Sequence, residues 1–360
     1  MALSGNKGEW SEVYTLFKLL GEGKVHAGDA DLNKLALFYP ILNIIREERK
    51  RYEYRPIADQ HLVVISEDGQ EYARFPMSRF VEESRYLLQE IRNGGDRSFE
   101  IPASETFLKE IGGLQLKAPT KDKADIHIVI HDLRTNMTPK LGFSVKSQLG
   151  SASTLLNAGL PTNILYKIEG ADFTDEDVDQ INAIEDHLPR IQEITDRGGC
   201  LKYHDIEHQI FKNNLLFLDT CMPEFIAACL LVDSMPLGTS TIKEAVGKVA
   251  QMNPFGFTGT DTLAFYEHKM KVLLLDAALG MTPSKEWKGR YDANGGYLVV
   301  RKDGEIVCYH FYQRNDVEDY LYNNTRFERG SRTRHKFGRV FRGQDGNAYI
   351  RLNLQIRFKR

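Results

Sequence analysis

The chain has 360 residues, 42% of them hydrophobic and 27% charged, and no apolar run near the roughly 18 residues of a membrane span. With no basic-then-apolar leader in MALSGNKGEWSE, this reads as a water-soluble, cytoplasmic protein of one large or two to three ordinary domains. The net charge of −3 conceals an asymmetry: Arg326 to Arg360 holds nine Arg and two Lys against Glu328 and Asp345, a balance of +9 that leaves −12 upstream.

In chain order, residues 8–20 place Trp10, Val13, Phe17 and Leu20 at helical spacing. Residues 32–50 repeat that pattern through Leu35, Phe38, Leu42 and Ile45, predicting a second helix, with Pro40 blurring its boundary. HLVVISEDGQEYARF reads as a hairpin around Asp68-Gly69, and MSRFVEESRYLLQEIRNG as a helix ending in glycine. Residues 125–133 alternate, with Ile126, Ile128 and Ile130 on one face and Asp125, His127, Val129 and His131 on the other, predicting a strand. A second strand over 141–147 follows the turn-like TNMTPK and is expected to lie beside it.

Residues 163–169 read as a further strand, DEDVDQINAIEDHLPRIQEITDRGG as acidic-surfaced helices, and 205–287 as mostly helical. The last seventy residues predict a hairpin around Asp303-Gly304, a helix over DVEDYLYNN and two strands around Asp345-Gly346. The fold class is therefore α/β: a mixed central sheet flanked by helices over residues 1–200, a mainly helical region over 201–290, and a basic β-rich region over 291–360. Cys200, Cys221, Cys229 and Cys308 form no C-x-x-C pair, which argues for reduced core thiols and against disulfides or structural zinc.

The candidate chemistry sits on the two adjacent strands. An Asp at the start of one strand and a Lys on the next can face one cleft, and Ser144 and Gln148 flank Lys146 at two-residue spacing, on the same face. Lys146 is the only charge in the strand 141–147, LGFSVKS, where a charge costs energy unless it is solvated, paired or functional. Carboxylates and a lysine are what phosphodiester hydrolysis requires, holding a divalent cation and acting on water. Glu9 and Glu12 lie one turn apart on the first helix and can supply a second acid. The competing pattern is His204-x-x-Glu207-His208, which on a helix would bind zinc as in a metallopeptidase.

Gly8 to Glu12 (Gly-x-x-x-Glu), Asp125 and Ser144-Val145-Lys146 together resemble the PD-(D/E)xK nuclease fold. Two positions depart from its pattern: Ala124 stands where that fold has Pro, and Ser144 replaces the strand acid. The resemblance implies that a helix supplies the missing carboxylate, with Glu12 the first choice and Glu9 the second. Longer stretches, NKGEWSEVYTLFKLL, LNKLALFYPILNIIREE, LGFSVKSQLGSASTLLNA and RHKFGRVF with YIRLNLQIRF, resemble the HpaII family of type II restriction endonucleases.

That resemblance implies Mg²⁺-dependent cleavage of double-stranded DNA at a short palindrome, CCGG for the name-giving member. A palindrome is normally read by a twofold homodimer, with a monomer that nicks each strand in turn as the other arrangement, and a cognate DNA methyltransferase would protect the same sequence. Asp125 and Glu12 would bind Mg²⁺, Lys146 would act on the attacking water, Ser144 would mark the replaced acid, and Gln148 would contact water or backbone. The basic region would contact DNA through Arg326, Arg329, Arg332, Arg334, Lys336, Arg339, Arg342, Arg351 and Arg357, Arg being suited to phosphate and guanine. The remaining alternative is a DNA-binding relative whose metal site was lost with the acid at Ser144.

Overall fold

The computed structural model describes residues 2–95, 97–117, 124–235, 238–291, 295–328 and 335–359. Two compact units form: Met1–Ser153 with Tyr291–Tyr320, and Thr154–Arg290 with Leu321–Lys359.

The first unit is built on a nine-stranded mixed sheet. From one edge its strands run Lys24–Gly28, Ile306–His310, Gly296–Val300, Lys140–Ser147, Ile126–Ile130, Lys34–Glu47, Arg51–Ile57, Leu62–Glu67 and Gln70–Pro76. Lys24–Gly28 also pairs with Lys34–Glu47, so the first six close into a ring. We call Ile126–Ile130 the aspartate strand, Lys140–Ser147 the lysine strand and Gly296–Val300 the tyrosine strand. The first two pair antiparallel, and the tyrosine strand runs parallel to the lysine strand.

The first helix, Lys7–Glu22, starts in a capping box, with Asn6 Oδ1 accepting from Gly8 N and Glu9 N while Glu9 Oε2 accepts from Asn6 N; Gly23 ends it at φ +64°. Its Trp10, Val13, Phe17 and Leu20 are fully buried in the same core as Ile128, Leu141, Phe143 and Leu298. Helices Met77–Asn93 and Pro102–Glu110 add Phe80, Leu87 and Phe107 to that core.

Residues 32–50 differ from the sequence expectation: Lys34–Glu47 is a strand, not a helix. Its register against the aspartate strand shifts between Ile41 and Asn43, so Ile41 and Ile44, three residues apart, both reach the core while Leu42 is exposed. That irregularity erases the two-residue alternation and leaves a spacing that imitates a helix. The hairpin Ile306–His310 with Gly296–Val300, expected within the C-terminal region, belongs to the first unit's sheet instead.

The second unit holds an antiparallel sheet ordered Cys200–Ile206, Asn163–Glu169, Ala348–Asn353, Val340–Arg342, and a three-stranded sheet of Thr154–Leu156, Ile356–Phe358 and Thr325–Phe327. Its helices are Asp175–Ala183, His187–Asp196, Gln209–Leu218, Met222–Asp233, Ile242–Met252 and Thr262–Leu279. Among the described residues no single helix is long and apolar enough to cross a membrane. All four cysteines are free; Cys229 and Cys308 are core thiols, but Cys200 is exposed, contrary to the expectation for all four.

Candidate active site

The aspartate strand sends Ile126, Ile128 and Ile130 into the core, so its alternate residues face the other way. Just before it, Asp125 N donates to Phe143 O at 2.8 Å, which holds Asp125 against the lysine strand. That strand buries Leu141 and Phe143 in the core and leaves Ser144 and Lys146 on the opposite face. Asp125 Oδ2 accepts from Ser144 Oγ at 2.9 Å and from Val145 N at 2.8 Å, and Lys146 Nζ donates to Ser144 Oγ at 2.9 Å. Lysine, serine and aspartate thus form one hydrogen-bonded chain. Ser144 does not replace a carboxylate; its hydroxyl links the ammonium to the acid.

The first helix brings Glu12 to this chain. Ser11 is fully buried and its Oγ meets Ser147 Oγ at 2.8 Å, while Trp10 Nε1 donates to Phe99 O at 3.0 Å. Half-buried Glu12 has its carboxyl pushed up to about 8, chiefly by burial and next by the charge of Asp125, against the opposing pull of Lys117 and Arg46. Burial lowers the Lys146 ammonium pKa, while Asp125 and Glu12 favour its charge. Glu9 is committed elsewhere, to the helix cap and to Lys117 Nζ at 3.4 Å, so Glu12 is the acid in the field of Asp125. Gln148 is anchored to the tyrosine-strand hairpin: its N donates to Val300 O at 2.9 Å and its Oε1 accepts from Lys302 N at 3.3 Å.

Two neighbouring carboxylates, Asp125 and Glu12, are a donor set suited to a hard divalent cation. Among the described residues no group of three or more His, Cys, Asp or Glu side chains converges, so any cation here would take its remaining ligands from water or substrate. That fits Mg²⁺, which keeps several waters and takes one or two carboxylates.

One neighbour was not legible in the sequence. Tyr297, on the tyrosine strand, is in register with Ser144, and Lys146 Nζ lies 5.3 Å from its ring centroid. The parallel pairing joins segments far apart in the chain, which no local pattern signals.

The basic residues of the C-terminal region fall in the second unit. Arg329, Arg332 and Arg334 lie outside the described residues. Arg326 pairs with Glu328 at 2.5 Å and Arg342 with Asp175 at 2.8 Å. Arg351 Nε donates to Glu207 Oε1 at 3.0 Å and its guanidinium lies 3.7 Å from the Phe341 ring centroid. Lys336 sits in a turn at φ +58°, with Arg339 N donating to Lys336 O at 3.4 Å, and Arg357 is opposite Arg326 in the strand pairing.

The zinc alternative fails on geometry. His204 lies in the strand Cys200–Ile206 against the ring of Tyr349, and His208 stands outside it as the cap of Gln209–Leu218, so the two are not one helical turn apart. Glu207 accepts from Arg351 and from Asn163 Nδ2 at 2.7 Å.

A lysine is chained through serine to an aspartate, with a second acid beside it. Comparison with known proteins supplies the class. The chain is 43% identical over 358 residues, 99% of its length and 98% of the relative's, to a protein named type II restriction enzyme HpaII from Haemophilus parainfluenzae. No solved structure gives a significant match. The protein is thus placed among the type II restriction enzymes. Within that class it belongs to the HpaII restriction endonuclease family, whose model matches residues 6–358.

Proposed function

We propose that the protein is a Mg²⁺-dependent endonuclease of the PD-(D/E)xK type that hydrolyses phosphodiesters in double-stranded DNA at a short palindrome, CCGG. The observation that carries the nuclease reading is the Lys146–Ser144–Asp125 chain with the raised carboxyl of Glu12 beside it, while CCGG rests on membership of the HpaII family alone. Asp125 and Glu12 would hold the cation. When bound, it supplies charge neutralisation at the scissile phosphate and acidifies water.

The protein's own groups do the rest. Asp125 is fixed by the hydrogen bonds from Ser144 and Val145, so one carboxylate is oriented before substrate arrives. Lys146 Nζ, in a setting that loosens its proton, orients the attacking water and places positive charge beside the phosphate. Ser144 keeps that ammonium aligned with the acid. Gln148 lines the same strand end through its link to Lys302, in reach of the DNA backbone.

The basic residues of the second unit contact DNA, Arg351 foremost, because Glu207 and Phe341 hold its guanidinium in one orientation. A homodimer would present two such surfaces to the half-sites, and a cognate methyltransferase would protect the same sequence in the host. The test is a panel of linear DNAs, each with one four-base palindrome, incubated with Mg²⁺ or with EDTA. Cleavage confined to the CCGG substrate and to Mg²⁺ supports the proposal. Binding without cleavage under both conditions favours the inactive relative, and cleavage of another palindrome removes the CCGG assignment alone.

A further inference from the structure

Tyr297 is buried, feels the charge of Asp125, and has its ring centroid 5.3 Å from Lys146 Nζ. In the parallel pairing Tyr297 is opposite Ser144 and Leu298 opposite Val145. Leu298 is in the core with Val145 packed against that core, so Tyr297 shares the other face with Ser144 and Lys146. Its ring is held firmly. Only 4% of Tyr297 is exposed, its edge meets Phe311 with centroids 6.4 Å apart, and Tyr320 lies 6.2 Å away. Gly296, at φ +149°, begins the strand where a Cβ would fall 1.8 Å from Tyr309 O, so this close approach of backbones depends on glycine.

We propose that Tyr297 is a positioning residue for cleavage: its ring face holds the Lys146 ammonium above Ser144, at the angle from which it meets the attacking water. This rests on the reading of Lys146 given above. A lysine has a flexible four-carbon stem and a compact charge, and one hydrogen bond to Ser144 fixes a point but not a direction. The negative face of an aromatic ring supplies the second attachment, and it does so most strongly where water is excluded. The attraction comes from the ring and not from the hydroxyl.

The experiment uses the full-length protein with Mg²⁺ and a DNA carrying its cleavage site, comparing Tyr297→Leu, Tyr297→Phe and trifluorophenylalanine at 297, alongside Lys146→Ala. Tyr297→Leu is expected to lower kcat about tenfold with KM for DNA within about twofold, the pattern of a group that acts in the transition state rather than in binding. Tyr297→Phe is expected to restore kcat to within about threefold of the native enzyme. The fluorinated ring, similar in shape but stripped of its negative face, is expected to fall about fivefold below Tyr297→Phe, which keeps the test decisive if Tyr297→Leu does not fold. Equal kcat for Phe and its fluorinated form, or a rise in KM without loss of kcat, would overturn the proposal while a dead Lys146→Ala leaves the site assignment standing. Full cleavage by Lys146→Ala would overturn both.

Discussion

Replacing Glu12 with Gln should make the cation-free protein more stable in alkaline solution while disabling it. Gln is nearly isosteric with the protonated carboxyl that the folded chain favours, with its value at about 8 against the usual 4.5. Below about pH 4.5 the acid is protonated in folded and unfolded chains alike, so native and Glu12→Gln proteins should match. Between 4.5 and 8 the unfolded chain ionises and the folded chain does not, so native stability falls relative to Glu12→Gln by about 1.4 kcal/mol per pH unit. Above 8 the gap levels off at about 5 kcal/mol, a ceiling because the side chain keeps some solvent access. The assay is urea unfolding in EDTA from pH 4.5 to 9, followed by Trp10 fluorescence in a Trp287→Phe background so that only the first unit reports. Adding Mg²⁺ should close much of the gap for the native chain, because a ligand that binds only the folded state stabilises it. A gap that is constant across pH, or native protein the more stable at pH 9 without cation, would refute the buried setting of Glu12 in the site.

Phe143→Ala empties a fully buried site beneath the lysine strand and should cost about 3–5 kcal/mol in the same unfolding assay. DNA affinity should fall linearly with salt on a log–log plot, and Arg351→Ala should weaken binding by about 1–3 kcal/mol, measured by fluorescence anisotropy; a flat salt dependence would remove the basic region from the interface. His204→Ala should leave cleavage within about twofold, since His204 lies on a strand against Tyr349 and forms no ligand set with His208.

Much of the site could be read locally. Ile126, Ile128 and Ile130 alternate cleanly, which fixed the face and thereby the direction of Asp125, and the same held for Leu141, Phe143 and Lys146. The Asp-Gly hairpins and the first helix were equally explicit. What failed to show was whatever depends on irregular or distant pairing. The register shift near Ile41 disguised Lys34–Glu47 as a helix, and Ser144, read from the sequence as the position of a replaced acid, is also a hydroxyl link between Lys146 and Asp125. Tyr297 reaches Lys146 through a strand pair that closes over the intervening segment Thr154–Arg290, so only the fold reveals it. The His204–His208 motif failed for the opposite reason: its spacing was right but its residues leave a strand rather than follow a helix.

The most direct test of the central claim is single-turnover cleavage of a CCGG-bearing DNA by Lys146→Ala in Mg²⁺, with DNA affinity measured on the same preparation. Loss of the cleavage rate by about 10²- to 10⁴-fold with affinity retained is what a lysine acting on the attacking water predicts. Cleavage at the native rate would contradict the assignment of the Asp125–Ser144–Lys146 chain as the catalytic centre.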